Sequence, residues 1–324
     1  MPDAVTFGEA MLRLSPPGSL RLEQVRTLEV WPAGAELNVA VGLARLGTNA
    51  RWVSRLPATP LGRIVLEHAR AAGVDTSEVL EGDGRLGLYF VEVAEPPRAA
   101  SALYDRAGSA FATLDPEELD WPRVLAGARA FHVSGITAAL GPGCARATAD
   151  ALAAARAAGC HTSYDLNLRR RLGPPGEWRV RAEAVAGSVE TLLCSAGDAA
   201  DVFGLHGEPA EIAARLRALL GVARVVLSSR EESGGRMRRT SVCADGDGTL
   251  ASTSPPFRIV DPVGSGDAFS AGFIHGLLTD GVARGLELGG AMAALKQSVA
   301  GDAPLVRPGE LELVLAGAPA GMSR

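Results

Sequence analysis

From Ala130 onward, short apolar runs alternate with stretches of helical periodicity, and this rhythm limits the possible folds more than any other feature of the chain. Ala130 to Ser134 is followed by an expected helix from about Gly143 to Ala158, and His161 to Asp165 precedes one from about Glu177. Thr191 to Cys194 precedes Asp198 to Phe203, and a helix from Pro209 to Leu220 leads into Arg224 to Ser228. Repeated strand, helix and strand predict a mainly parallel sheet with helices on both faces. The N-terminal part fits the same α/β pattern, with strands at Ala4 to Gly8 and Arg51 to Leu56 and helices through Leu46 and over Leu61 to Ala72. Sheets of this kind bind ligands at the carboxyl ends of their strands. Polar residues gather at those ends: Gly8-Glu9, Ser134-Gly135, Asp165-Leu166-Asn167-Leu168-Arg169, Ser195 and Ser228-Ser229-Arg230-Glu231.

The most definite chemical statement is Asp261-Pro262-Val263-Gly264-Ser265-Gly266-Asp267. Phe257 to Val260 reads as the end of a strand, and Ala268 to Leu278 as a helix dense in small and apolar residues. Gly264 and Gly266 can take backbone angles closed to other residues, so successive N–H groups can face one concavity beside a helix start. That is a socket for an anion. Asp267 would repel a bound phosphate unless a cation or a reacting hydroxyl intervened, and it makes sense as a base. It would take the proton of an attacking alcohol while the amides absorb charge on the phosphoryl oxygens. The plainer reading is a glycine-rich turn with an aspartate capping a helix.

Composition narrows the rest. A net charge of -5, with charges well mixed, leaves no basic patch for nucleic acid. Arg236 to Arg239 reads as a solvated loop or a nucleotide-side contact. Lys296 is the only lysine, so phosphate handling must rest on backbone amides, arginine and a metal. Cys144, Cys160, Cys194 and Cys243 are far apart and show no metal-ligand spacing. No apolar run approaches a membrane span, and Met1-Pro2-Asp3 leads directly into a strand, so a cytoplasmic protein with no membrane partner is expected.

Two stretches break the main rhythm. Met11 to Trp31 alternates around Ser15-Pro16-Pro17-Gly18, and Arg85 to Arg106 holds two strand-like runs separated by Glu95-Pro96-Pro97-Arg98. Together they predict a small antiparallel sheet, inserted at about 11–33 and 85–110 into one domain spanning 1–324. Its half-apolar surface would favour a homo-oligomer joined through these sheets.

Gly34-Ala35-Glu36-Leu37-Asn38-Val39-Ala40, continuing to Gly47, resembles the N-terminal signature of the ribokinase-like (PfkB) sugar kinases, and Asp261 to Phe269 resembles the C-terminal one. The resemblance covers essentially the whole chain. It implies a three-layer α/β/α domain with a mostly parallel central sheet and a small β-sheet lid, and ATP with Mg2+ as cofactors. It also implies Asp267 as catalytic base, with the amides of Gly264, Ser265 and Gly266 as anion hole. Within the family the chain looks most like the 2-keto-3-deoxygluconate kinases, through Gly87-Leu88-Tyr89, Tyr104 to Ala110, Ser134-Gly135-Ile136, Asp165 to Arg169, and Ala294 to Ser298 running into Gly301-Asp302.

That likeness implies a sugar acid bound by Gly34, Asn38, Tyr89, Tyr104, Arg106, Ile136, Arg169 and Asp302, and phosphorylated on its 6-hydroxyl. An arginine fork, tyrosine hydroxyls and a carboxylate acceptor suit such a substrate. It implies nucleotide contacts from Asn167, Ser195, Ser228, Arg230, Gly264 and Gly266. Two departures stand out. Ser195-Ala196-Gly197-Asp198 replaces the usual Asn-x-x-Glu, leaving Asp198 to hold a metal through water, and Ser228 to Ser233 replaces the usual nucleotide-loop Arg/Lys-Gly. A kinase for fructose, tagatose or a nucleoside, or a sugar-acid sensor without catalysis, remains an open reading, and the gluconate and galactonate epimers are not separated.

Overall fold

A computed structural model describes residues 1–94 and 97–317; Glu95 and Pro96, within the expected separator of the second insertion, lie outside the described residues. The chain begins β1 (Ala4–Phe7), β2 (Met11–Ser15), β3 (Glu29–Ala33), α1 (Ala35–Arg45), β4 (Ala50–Pro57), α2 (Pro60–Ala71), β5 (Val79–Gly82), β6 (Gly87–Glu92) and β7 (Ser101–Asp105). It continues with α3 (Trp121–Val124), β8 (Ala130–Ser134), α4 (Gly135–Ala138), α5 (Pro142–Ala157), β9 (His161–Asp165), α6 (Pro175–Val185), β10 (Thr191–Ser195), α7 (Ala196–Phe203), α8 (Pro209–Leu220) and β11 (Arg224–Ser233). It ends with β12 (Arg236–Ala244), β13 (Thr249–Thr253), α9 (Ser265–Thr279), α10 (Val282–Lys296) and α11 (Pro308–Leu315).

The large sheet has the order β13-β12-β11-β10-β9-β8-β1-β4-β5. All strands from β5 to β11 in that order pair in parallel, while β12 and β13 add an antiparallel edge. Its central strands are buried on both faces, which is why β8 and β10 read as near-continuous apolar runs. Side chains of alternate residues go to opposite cores. Phe7, Phe131 and Leu192 join one core with α5, α6, α7 and α8, whereas Ala4, Trp52 and Leu193 join the other with α1, α2, α9 and α10. This is the three-layer α/β/α arrangement. Helices α9 and α10 lie close together because Gly272 has no side chain: a Cβ there would come within 2.7 Å of the Leu288 carbonyl oxygen.

The small sheet has the order β3-β2-β6-β7. Its outer pairs are antiparallel, but β2 and β6 run parallel, because the chain between them passes through the large layer rather than a hairpin. Met11, Arg13, Tyr89 and Tyr104 share one face by register. The other face carries Leu14, Phe90, Val30 and Leu103, of which Val30 is 48 % and Leu103 56 % exposed.

Three local expectations change. Phe257 to Val260 is not a strand: Pro255-Pro256 supplies no N–H donors, β13 takes the sheet edge, and Phe257 makes only an isolated bridge to Met237. Arg236 to Arg239, expected as a solvated loop or a nucleotide-side contact, is the start of β12: Arg236 and Arg238 are exposed, whereas Arg239 is buried and lines the cavity described below. Helix α9 starts at Ser265 rather than Ala268, which brings Asp267 into its first turn. Among the described residues no helix is long and apolar enough to cross a membrane.

Candidate active site

A cavity of about 800 Å³ opens at the carboxyl ends of the parallel strands. Asp165, Asn167, Arg169, Ser195, Asp198, Ser228 and Arg230 line it from those strand ends. The turn from Gly264 to Asp267 lines it from α9, and Met11, Tyr89, Tyr104 and Arg106 from the small sheet and its exit. Gly34, Asn38, Ile136 and Asp302 complete the lining, so every residue expected at the site from sequence reaches this one cavity.

The α9 turn is built to leave backbone donors open. Gly264 caps the helix with φ 79°, a left-handed conformation that costs an L side chain about 1–2 kcal/mol. The N–H groups of Gly266 and Asp267 belong to the first helical turn and have no acceptor within the helix. The Ser265 N–H leans back to the Pro262 carbonyl at 3.4 Å. Asp261 braces the turn from behind, accepting from the Val263 N–H and the Gly301 N–H at 3.1 Å each and from Arg13 at 2.7 Å. Arg13 also donates to Asp302 at 2.8 Å, and Lys296 donates to the carbonyls of Asp261 (3.2 Å) and Val299 (3.1 Å). The single lysine is thus a buried strut between the turn and the 299–302 segment.

Asp267 is 9 % exposed and accepts a 2.7 Å hydrogen bond from the Asn38 side-chain amide. Burial pushes its carboxyl up to about 7, with Asp302 and Glu36 adding to the rise and the Asn38 bond and Arg169 opposing it. A carboxylate poised there is suited to act as a general base at neutral pH. Asn38 therefore touches the base itself, and its own carbonyl oxygen is buried without a partner among the described residues. Glu36, in the first turn of α1, accepts from the Ser134 N–H and hydroxyl and the Thr137 hydroxyl at 2.7–2.8 Å, locking α1 to the end of β8.

Asp165, which the sequence places at a ligand-side strand end without a role of its own, lines the cavity. Burial, then the charges of Asp267 and Asp198, push its carboxyl up to about 8; burial also raises Asp198. These carboxylates share one electrostatic neighbourhood that a cation would relieve, and their oxygen donors suit Mg2+. Among the described residues no three potential ligands lie close enough to hold a metal directly. Asp165 and Asp198 supply carboxylate oxygens of the kind a hydrated Mg2+ takes, and both line the cavity. Ser195 caps α7, its hydroxyl oxygen accepting from the Asp198 N–H at 3.0 Å. Asn167, at φ 48°, turns the chain so that Arg169 follows at the rim. Arg169 is exposed, and among the described residues its guanidinium hydrogen-bonds only to its own loop's carbonyls, Leu168 at 3.0 Å and Asn167 at 3.4 Å.

At the small-sheet end, polar groups expected to bind the sugar acid are paired with one another or with neighbours. Arg106 forms an ion pair with Glu9 (Nε to Oε2 2.9 Å). Asp302 takes Arg13 on one oxygen and the Tyr89 hydroxyl on the other. The Tyr89 ring stacks on Tyr104, centroids 5.4 Å apart and planes at 9°. Gly34 caps α1 against the Glu9 carbonyl, and Ile136 adds an apolar wall. At the opposite end Arg230 donates to the Ser265 hydroxyl at 2.9 Å, and Ser228 receives a long contact from Arg239.

Comparison with known proteins shows the family. Residues 1–306 match the profile of the pfkB family of carbohydrate kinases. The chain is 39 % identical to a 2-dehydro-3-deoxygalactonokinase of Haloferax volcanii, covering 99 % of both chains. It is 32 % identical to a 2-dehydro-3-deoxygluconokinase of Bacillus subtilis, over 93 % of this chain and 91 % of the relative. The crystal structure of a 2-dehydro-3-deoxygluconokinase from Thermotoga maritima superposes with a TM-score of 0.91 at 34 % identity, covering 97 % of this chain and 98 % of that one.

Proposed function

The chain belongs to the pfkB family of carbohydrate kinases, and from that premise we propose that it transfers the γ-phosphoryl group of ATP to the 6-hydroxyl of 2-keto-3-deoxygluconate. The observation that carries this reading is Asp267, raised to about 7 and held by Asn38, beside the open N–H groups of the α9 turn. Asp267 takes the proton of the sugar hydroxyl as its oxygen attacks the γ-phosphorus. The first-turn amides receive the charge spread over the phosphoryl oxygens. Asp198 would hold Mg2+ with the nucleotide, and the ion would supply further neutralisation of phosphate charge.

Arg169, the guanidinium at the rim without a carboxylate partner among the described residues, takes the acid group, and Arg106 with Glu9 shapes the same wall. The stacked Tyr89 and Tyr104 lie over the sugar and exclude water, the competing nucleophile. A second reading, the galactonate epimer, is favoured by the Haloferax relative and its name. ADP release on a panel of both epimers and fructose tests the assignment. Each charge-assisted bond to the acid group contributes about 1.5–3 kcal/mol, so the sugar acids should exceed fructose by at least about tenfold in kcat/KM. Faster turnover of fructose would end the acid assignment, and no ADP with any sugar would favour a sensor.

We also propose that copies of the chain associate through the outer faces of their small sheets, because Val30 and Leu103 are exposed there beside Leu14 and Phe90. Sedimentation should give a mass above that of one chain, and Leu103→Asp should lower it. A wild-type monomer at micromolar concentration would refute the association.

A further inference from the structure

Arg239 sits in the ladder opposite Arg230, and its side chain lines the cavity while remaining only 4 % exposed. Its guanidinium lies over the Phe269 ring, 5.6 Å from the centroid. Its Nη groups reach the hydroxyls of Ser228 and Ser265 at 3.4 Å each, and its Nε has no partner among the described residues. Among the described residues neither Arg239 nor Arg230 forms an ion pair with a carboxylate. The contrast with neighbouring arginines is sharp: Arg106, in the same cavity, is held by Glu9, and Arg13, behind the turn, by Asp261 and Asp302.

A buried cation without a counter-charge is costly, and a fold that keeps one has a use for its field. Burial and the neighbouring Arg230 lower the Arg239 pKa to about 10, which still leaves it charged at neutral pH. Both arginines converge on one neutral acceptor, the hydroxyl of Ser265, the first residue of α9. A single hydroxyl is a poor match for two guanidinium groups. A polyphosphate oxyanion lying along the open N–H groups of that turn would satisfy both.

We propose that Arg239, together with Arg230, binds the polyphosphate chain of the nucleotide and balances the charge on the leaving phosphate. The inference rests on the phosphoryl-transfer reading for the identity of the anion. In the step, the bond from the γ-phosphorus to the β,γ-bridging oxygen breaks as the bond from the sugar oxygen to phosphorus forms. The sugar proton goes to Asp267, and the electron pair of the broken bond stays on ADP, within reach of the arginine pair. In a chain whose only lysine is buried as a strut, Arg239 supplies a buried, fixed cation beside the anion turn, next to Arg230.

The test combines thermal shift with sodium tripolyphosphate and steady-state kinetics with ATP, on wild type, Arg239→Met and Arg239→Lys. Tripolyphosphate carries no adenosine, and without sugar present no transfer can follow, so it probes the anion site alone. Wild type should gain thermal stability from it. Arg239→Met should melt no lower than wild type without anion, because an unpaired buried charge has gone, yet gain nothing from tripolyphosphate. Its kcat/KM for ATP should fall about ten- to a hundredfold, the loss of a charge-assisted bond, with sugar-acid affinity unchanged and Arg239→Lys recovering part of the loss.

A merely structural Arg239 gives the opposite pattern: a lower melting temperature with an unaltered tripolyphosphate response and unaltered ATP kinetics, which overturns the proposal. Should Arg239→Met fail to fold, an Arg239→Lys protein with wild-type response to tripolyphosphate and ATP overturns it equally, and a weakened response supports it. If wild type phosphorylates no sugar acid while its tripolyphosphate shift still depends on Arg239, the sugar assignment fails and the anion site stands.

Discussion

Asparagine in place of Asp267 should leave a protein that folds and binds its sugar acid, but turns over about a hundred- to ten-thousandfold more slowly, the usual worth of a positioned base. The substitution keeps shape and removes only the ability to accept a proton. Because burial lifts Asp267 to about 7, wild-type kcat should rise with pH through that region and level off above it, and this rising limb should be missing from the Asp267→Asn profile. Stability moves the other way. A carboxyl whose folded pKa stands above its unfolded value of about 3.8 binds the proton more tightly when native, so the ligand-free protein loses stability as pH rises from there to about 7. The Asp267→Asn protein, free of that buried charge, should melt higher than wild type at pH 8. Near-normal turnover in the variant would remove Asp267 from the chemistry.

Alanine at Gly264 should be nearly as damaging for a different reason. The backbone there is left-handed at φ 79°, and an added Cβ would run into the Asp302 carbonyl oxygen. The opposing segment has little freedom to withdraw, since Gly301 is tied to Asp261 and the Asp302 side chain to Arg13 and Tyr89. The turn itself must move, and its N–H groups then point away from the phosphoryl oxygens. Losing such a donor costs about a hundred- to a thousandfold in kcat, and here a lower melting temperature should accompany it. Gly266→Ala is the control for stability: nothing lies within 4 Å of a Cβ there, so its melting temperature should stay at the wild-type value. A Gly264→Ala protein with wild-type kcat and melting temperature would show that the turn's shape is not what the reaction uses.

The parts of the molecule written into short stretches of sequence were legible. Strands buried on both faces leave continuous apolar runs, so the parallel sheet and its helices followed from their alternation. The α9 turn announced itself through glycine spacing, and the alternating runs around 11–33 and 85–110 supplied the four strands of the small sheet. Elements with weaker local signals escaped. β5 ends in Glu81-Gly82, and β13 reads Thr-Leu-Ala-Ser-Thr, neither of which looks like a strand without its neighbour. Charge partners escaped most of all. Nothing near Arg13 reveals that its carboxylates are Asp261 and Asp302, 248 and 289 residues away. Nothing near Arg106 points to Glu9 as its partner, and the run Arg236 to Arg239 left a solvated loop and a nucleotide-side contact open until the ladder with β11 buried Arg239. A role for Asp165 could have been found, since it ends a strand on the ligand side of the sheet and opens the same loop that carries Asn167 and Arg169.

The central claim is that the open amides of the α9 turn and the Asp267 carboxylate act on the same phosphoryl group. The most direct measurement is a crystal structure with a non-hydrolysable ATP analogue, Mg2+ and 2-keto-3-deoxygluconate bound together. The account predicts the terminal phosphate oxygens within hydrogen-bond distance, about 3 Å, of the Gly266 and Asp267 N–H groups, and the sugar's 6-hydroxyl at a similar distance from the Asp267 carboxylate. A terminal phosphate bound away from residues 264–267, or a sugar hydroxyl facing another residue, would contradict it.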